Sequence, residues 1–132
     1  MTSTPSELSY VKEHHWARPN ADGTVVRVGI TDFAQESLGD IVAIYLPKLS
    51  AKVKSHEACG DVESTKSDND LVAPVAGVIS ARNDQLEDKP ELANQDPYGE
   101  GWLFEITVDV APFDPAVQDL LTADEYKTFT GK

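Results

Sequence analysis

A polar run enclosed by apolar segments constrains this chain most. Residues 65–72 read Thr-Lys-Ser-Asp-Asn-Asp-Leu-Val, six of the eight polar or charged. Upstream, Ala58 and Val62 recur at even spacing around Cys59, Gly60 and Asp61, as a half-buried strand requires. Downstream, residues 71–79 are apolar and rich in β-branched side chains, with Pro74 and Gly77 where a strand bends or ends. Two such segments joined by a short polar stretch predict a protruding hairpin with Lys66 at its tip. Taken alone, an exposed lysine in a turn is a solvated charge, so its meaning rests on its surroundings.

Short apolar stretches at 24–30, 41–46, 58–64, 71–73, 77–83 and 102–108, separated by Gly, Pro, Asn and Asp, predict a mainly β sandwich or barrel. Asn20-Ala21-Asp22-Gly23 is a hairpin-type turn, because Asp-Gly tolerates positive φ. Residues 31–38 form a short internal helix capped by Thr31 or Asp32 and stopped at Gly39. Thr122-Ala123-Asp124-Glu125 is a capping box opening a C-terminal helix to about Thr128, with Leu121, Tyr126 and Phe129 as packing residues. The glycine-then-β-branched stretches at Gly39 and Gly77 hint at two related halves.

At 132 residues the chain matches one domain, 1–132, with room for a core but not for a second, catalytic unit. The formal charge of −12, from 23 acidic against 11 basic residues, disfavours nucleic acid and anionic membranes and favours protein partners with basic patches. No apolar run reaches bilayer-spanning length. Residues 1–7 lack the basic and apolar character of a signal or transit peptide, which leads us to expect a cytoplasmic, bacterial protein. Cys59 is the single cysteine and has no intrachain disulfide partner.

Glu63-Ser64-Thr65-Lys66-Ser67, followed at hairpin distance by Ala73-Pro74-Val75-Ala76-Gly77, resembles the lipoylation site of the glycine cleavage system H protein family. Further matches lie well away from it: His14-His15-Trp16, the run from Val28 to Gln35 with Leu38-Gly39-Asp40, and Asp96-Pro97-Tyr98-Gly99-Glu100-Gly101-Trp102. The resemblance covers the chain from about Leu8 to the C-terminal helix. It implies a lipoyl/biotinyl-type barrel-sandwich hybrid of two antiparallel sheets, with a β core over about 8–110 and a C-terminal helical segment over about 113–129.

The resemblance further implies lipoic acid joined covalently to Lys66 and a non-catalytic carrier role. The arm would accept an aminomethyl group from the pyridoxal phosphate-dependent glycine decarboxylase (P-protein). It would pass the group to the tetrahydrofolate-dependent aminomethyltransferase (T-protein) and electrons to dihydrolipoamide dehydrogenase (L-protein). A lipoate-attaching enzyme is the fourth partner. Glu63 occupies the family's acidic position before the lysine and is the candidate for recognition by that enzyme. Asp68 and Asp70 could attract the amine of the loaded arm, Asp70 matching the family position better, at about 1 kcal/mol or less for an exposed pair. In the family the loaded arm folds into a cleft on its carrier. Here the usual His-Glu-Trp is His14-His15-Trp16, and Ser37 stands where a histidine is common, so weaker or rearranged docking is expected.

A biotin carrier places Met beside its lysine, against Thr65 and Ser67 here, and a lipoyl domain of a 2-oxoacid dehydrogenase typically carries Asp-Lys-Ala and a linker. An H-like protein relaying lipoate to other enzymes stays open because of His15 and Ser37, and so does a non-lipoylated binding module. His14 and His15, if on a strand, would face opposite sides and could not readily share a metal. Cys59 lies among Glu57 and Asp61, a poor setting for a thiolate, and reads as a small hydrophobe. Trp16 and Trp102 read as packing residues. The Pro- and Gly-rich stretch 96–102 is a rigid turn or a contact for partner enzymes.

Overall fold

Period-two patterning, cut by Gly, Pro and Asx turns, produces nine strands and four short helices in the computed structural model, which describes residues 3–131. Residues 1, 2 and 132, the ends of the expected domain, lie outside the described residues. The strands are β1 Ser9–Val11, β2 His15–Pro19, β3 Val25–Ile30, β4 Ile41–Tyr45, β5 Lys52–Val53, β6 Ala58–Ser64, β7 Asp68–Val72, β8 Gly77–Arg82 and β9 Phe104–Val108. The helices are α1 Asp32–Leu38, α2 Gln85–Asp88, α3 Leu92–Gln95 and α4 Ala123–Thr130. One sheet runs β1-β2-β3-β9-β8-β5 and the other β4-β6-β7. Every pairing is antiparallel, so the mainly β, two-sheet architecture with an internal and a C-terminal helix holds.

Alternation along β3 and β9 shows how the sequence builds this. Val26, Val28 and Ile30 point inward with Phe104, Ile106 and Val108. Between them, Arg27 and Glu105 are directly opposed and pair at 2.9 Å, with the guanidinium 4.3 Å from the Trp102 ring. Val62 and Leu71 close the same core from the second sheet, each fully buried aliphatic side chain contributing about 1.5–3 kcal/mol. A second cluster joins Tyr10 and Trp16 to Ala123 and Tyr126 of α4, where the Tyr10 and Tyr126 rings stack at 4.7 Å.

The local signals act where they were read. Thr31 caps α1 by accepting from Ala34 N, and α4 carries the full capping box of Thr122 and Glu125. Gly23, at φ 72°, closes the β2–β3 turn against Pro112. Other expectations need correction. The helical segment expected over about 113–129 is helix only from Ala123: the preceding stretch is turns interrupted by Asp119 at φ 60°, followed by a bridge from Leu121 to Tyr10. Phe129 packs only in part: it is 47% exposed, with its ring 6.0 Å from that of His14 and beneath the Lys12 ammonium.

The return strand expected at 71–73 starts three residues earlier, at Asp68, because the backbone ladder to β6 is available whatever the side chains, and that face is solvated. Ala58 is exposed while Val62 is buried, since the register of β6 against β7 shifts between Ala58 and Gly60 and breaks the expected alternation. His14 does not belong to a strand: it turns at φ 69° between β1 and β2. The strands β1, β2 and β5 were not expected, being short and dense in polar or aromatic residues, and neither were the single-turn helices α2 and α3.

Candidate functional site

The β6–β7 turn is built by Ser64. Its hydroxyl accepts from the backbone N–H groups of Lys66 (3.3 Å) and Ser67 (3.1 Å) and donates to Ser67 O (2.9 Å), while Ser64 N donates to the same carbonyl at 3.0 Å. Thr65 N donates to Asp40 O at 3.0 Å, fastening the turn to the end of α1. Lys66 is exposed at the tip. Its stem runs over Gly39: a Cβ there would lie 3.2 Å from Thr65 Oγ1 and 3.5 Å from Lys66 Cε. Gly39 also has φ 74° and ψ −151°, a region essentially reserved for glycine. A long substituent on this lysine therefore has a clear way out from the turn and a base steadied beside α1.

Beside the lysine lies an open cleft of about 160 Å³. Ile30, Ala34, Leu38 and Val62 give it an apolar floor, and Glu13, Ser37, Asn69 and Asp70 stand among its walls. The pairing of β6 with β7 and the packing of α1 across the two sheets create this space, which suits an extended aliphatic chain ending in a polar group.

His15 also lines the cleft but offers it no free nitrogen. Nε2 accepts from Val72 N–H at 3.3 Å, so the ring proton sits on Nδ1 and is donated to Glu13 O at 3.0 Å. The imidazole thus ties β2 of one sheet to β7 of the other. Burial without a compensating charge pushes its pKa down to about 4, with the neighbouring His14 a smaller influence in the same direction. His14 is likewise lowered, chiefly by burial, and its Nδ1 lies 2.7 Å from Tyr126 Oη, which is 2.8 Å from Thr31 Oγ1. Tyr126 thereby connects α4 to the capping residue of α1 and to the cleft wall. Burial raises the Tyr126 phenol well above its ordinary range.

The structure separates the acidic residues picked out in the sequence. Asp70 lies at the cleft wall, directly across from Asp61 in the ladder. Glu63 lies outside the cleft lining, opposite Asp68 and close to the Tyr45 phenol, whose pKa it raises. The stretch 96–102 is held from within: Asp96 accepts from Gly99, Gly101 and Glu100 N–H groups, and Pro97 O accepts from Trp16 Nε1 at 2.9 Å. Trp16 is fully buried, so the loop serves as a brace for the core. Cys59 is half-buried with its thiol pushed up to about 12, first by burial and then by Glu57. The sequence assigned no role to Glu13, and none of their own to Asn69 and Ser64 within the polar run and motif. Ser64 had a local signal, a hydroxyl entering a tight turn, whereas Glu13 reaches the cleft only through the His14 turn.

The family model described as Glycine cleavage H-protein matches residues 8–132. Curated relatives named glycine cleavage system H protein include that of Mycobacterium avium (strain 104), 49% identical over 128 residues, and that of Mycobacterium leprae (strain Br4923), 48% identical over 128; each alignment covers 96% of both proteins. A crystal structure of a glycine cleavage system H protein from Mycobacterium marinum superposes with a TM-score of 0.85 at 40% identity, covering 97% of this chain and 99% of that one. That family is lipoyl-bearing and acts as a carrier subunit, and the residues that turn Lys66 outward over Gly39 fit such an attachment. By sequence over nearly its full length and by fold, the chain belongs to the glycine cleavage system H protein family.

Proposed function

We propose that this chain is a single lipoyl-carrier domain, modified by lipoic acid on Lys66. In that role it moves the aminomethyl group of glycine from glycine decarboxylase to the aminomethyltransferase, and electrons to dihydrolipoamide dehydrogenase, without catalysing a step itself. The observation that carries the reading is an exposed lysine at the tip of a braced turn, beside an apolar cleft, in a chain of this family. When bound, lipoate supplies a reducible cyclic disulfide on a flexible arm. The chain's own residues do the rest. Ser64 and Gly39 present the lysine, and Glu63 marks the hairpin for the lipoate-attaching enzyme.

Asp70 and Glu13 flank the cleft, where each would attract a cationic arm end by about 1 kcal/mol or less, as exposed carboxylates do. Glu13 thus offers a carboxylate two positions before His15 in the same cleft lining, which supports a rearranged rather than an absent dock. The reading includes a bacterial cytoplasmic setting, supported by mycobacterial relatives. Among the described residues, no helix is long and apolar enough to cross a membrane.

Peptide mass spectrometry of the protein from its native cells tests this, followed by glycine-dependent loading with purified decarboxylase. A lipoyl mass on Lys66 with loading supports the carrier cycle. Lipoylation without loading would turn the reading to a lipoate relay, and an unmodified or biotinylated Lys66 would refute it.

A further inference from the structure

The three-stranded sheet ends at β4, whose outer edge pairs with no further strand among the described residues and is flanked only by the single-turn helix α2. Beyond its ladder with β6, the β4 backbone makes one further hydrogen bond among the described residues, from Ile41 N to Asn94 Oδ1 at 2.9 Å. Consecutive residues Val42, Ala43, Ile44, Tyr45 and Leu46 all line a groove that Arg82 and Glu87 close from the other side. Lining by consecutive residues means that the backbone edge, and not one side-chain face, looks into the groove, because neighbouring side chains on a strand point to opposite faces. Val42 is 55% and Tyr45 53% exposed. An open, partly apolar edge is an aggregation liability, blunted at its start by the register shift between Ile41 and Ala43, so that the regular edge runs over Ala43, Ile44 and Tyr45.

Charge selects the occupant. Tyr45 stands opposite Asp61, and Ala43 opposite Glu63, with Asp68 and Asp70 facing those two carboxylates across the next ladder. Like charges directly opposite one another cost stability, so this face gains when cations cover it. The far wall of the groove is electrically closed, since the Arg82 guanidinium is already paired with Asp84 at 3.3 Å and Glu87 at 2.9 Å. A second copy of the chain would set one carboxylate face beside its twin, on molecules that each carry −12, which disfavours pairing of two β4 edges.

We propose that the β4 edge and its groove are the docking site for an extended, lysine- or arginine-bearing segment of a partner protein. The segment adds a fourth strand to the sheet, sets its cations over Asp61 and Glu63, and packs apolar side chains on Val42 and Tyr45. This surface does not depend on what is attached to Lys66.

The test uses the full, unmodified chain labelled with nitrogen-15, titrated with a peptide alternating lysine and valine and with its glutamate-for-lysine counterpart. The lysine peptide should shift the amides of residues 42–46 and 61–63, and the glutamate peptide should not. Raising salt from about 0.01 M to about 0.15 M shortens the Debye length from about 30 Å to about 8 Å and should weaken binding. The double variant Val42→Lys, Tyr45→Lys should bind at least about fivefold more weakly with an unchanged unfolding midpoint. Equal binding of both peptides, shifts mapping elsewhere, no binding, or sedimentation showing that the chain dimerises through this edge would each overturn the proposal.

Discussion

Acidification from pH 7 to pH 5 should cost the fold about 2 kcal/mol through His15 alone. The imidazole is fully enclosed, its Nε2 accepts from Val72 N–H and its Nδ1–H is donated to Glu13 O. A second ring proton would bring N–H against N–H and place an unpaired charge in the core. The folded pKa of about 4 lies below the ordinary 6.5, so the unfolded chain takes up the proton first. Stability is therefore full well above pH 6.5 and falls as the pH drops toward about 4, below which the loss levels off at about 3 kcal/mol.

The assay is urea unfolding at pH 7, 6 and 5 for the parent and for His15→Gln, which keeps a neutral hydrogen-bonding side chain and does not titrate. At pH 7 the variant should be the less stable of the two, and the parent's advantage should shrink by about 2 kcal/mol at pH 5, or about 1–2 M in urea midpoint for a domain of this size. His14, also lowered, titrates in both proteins and largely cancels in the difference. A gap that does not change with pH would refute the assignment of His15 as a buried neutral imidazole linking the sheets.

Three further outcomes follow from the same geometry. Gly39→Ala should destabilise by about 1–3 kcal/mol, since its φ of 74° with ψ of −151° strains any Cβ, and should slow modification of Lys66 by a purified lipoate ligase, because the new methyl presses on Thr65 Oγ1 and so disturbs the turn that holds the lysine; a variant with parental stability and rate would contradict this. Tyr126→Phe should lower the thermal midpoint by the equivalent of about 1–3 kcal/mol, as His14 Nδ1 and the Thr31 hydroxyl lose their shared partner, with circular dichroism as the readout. Cys59, with its thiol pushed up to about 12, should react with iodoacetamide at pH 8 at least about 100-fold more slowly than a free thiol, because only the thiolate attacks; fast labelling of the folded protein would overturn its description as an inert, half-buried hydrophobe.

Much of the site was legible because it is local. The turn at Lys66, the Thr31 and Thr122 caps and the stop at Gly39 each depend on residues within a few positions of one another, and each stands where the sequence indicated. Local signals also located β6 and the bodies of β3, β4, β8 and β9. They failed where the backbone overrode side-chain character: Asp68, Asn69 and Asp70 read as loop but lie in β7, since the ladder from β6 pairs them regardless.

The sequence by itself determined the repertoire of this protein: a mainly β chain, strongly acidic, with one lysine presented by a short turn and helices capped at Thr31 and Thr122. Period, turn chemistry and capping are properties of neighbours, so they survive in one dimension. Only the tertiary structure decided that β9 sits between β3 and β8, that Glu13 and Asp70, 57 positions apart, wall one cleft, and that His15 spans both sheets as a neutral ring. Those outcomes depend on which distant strands exchange hydrogen bonds and which side chains lose water together, and no local pattern carries that information.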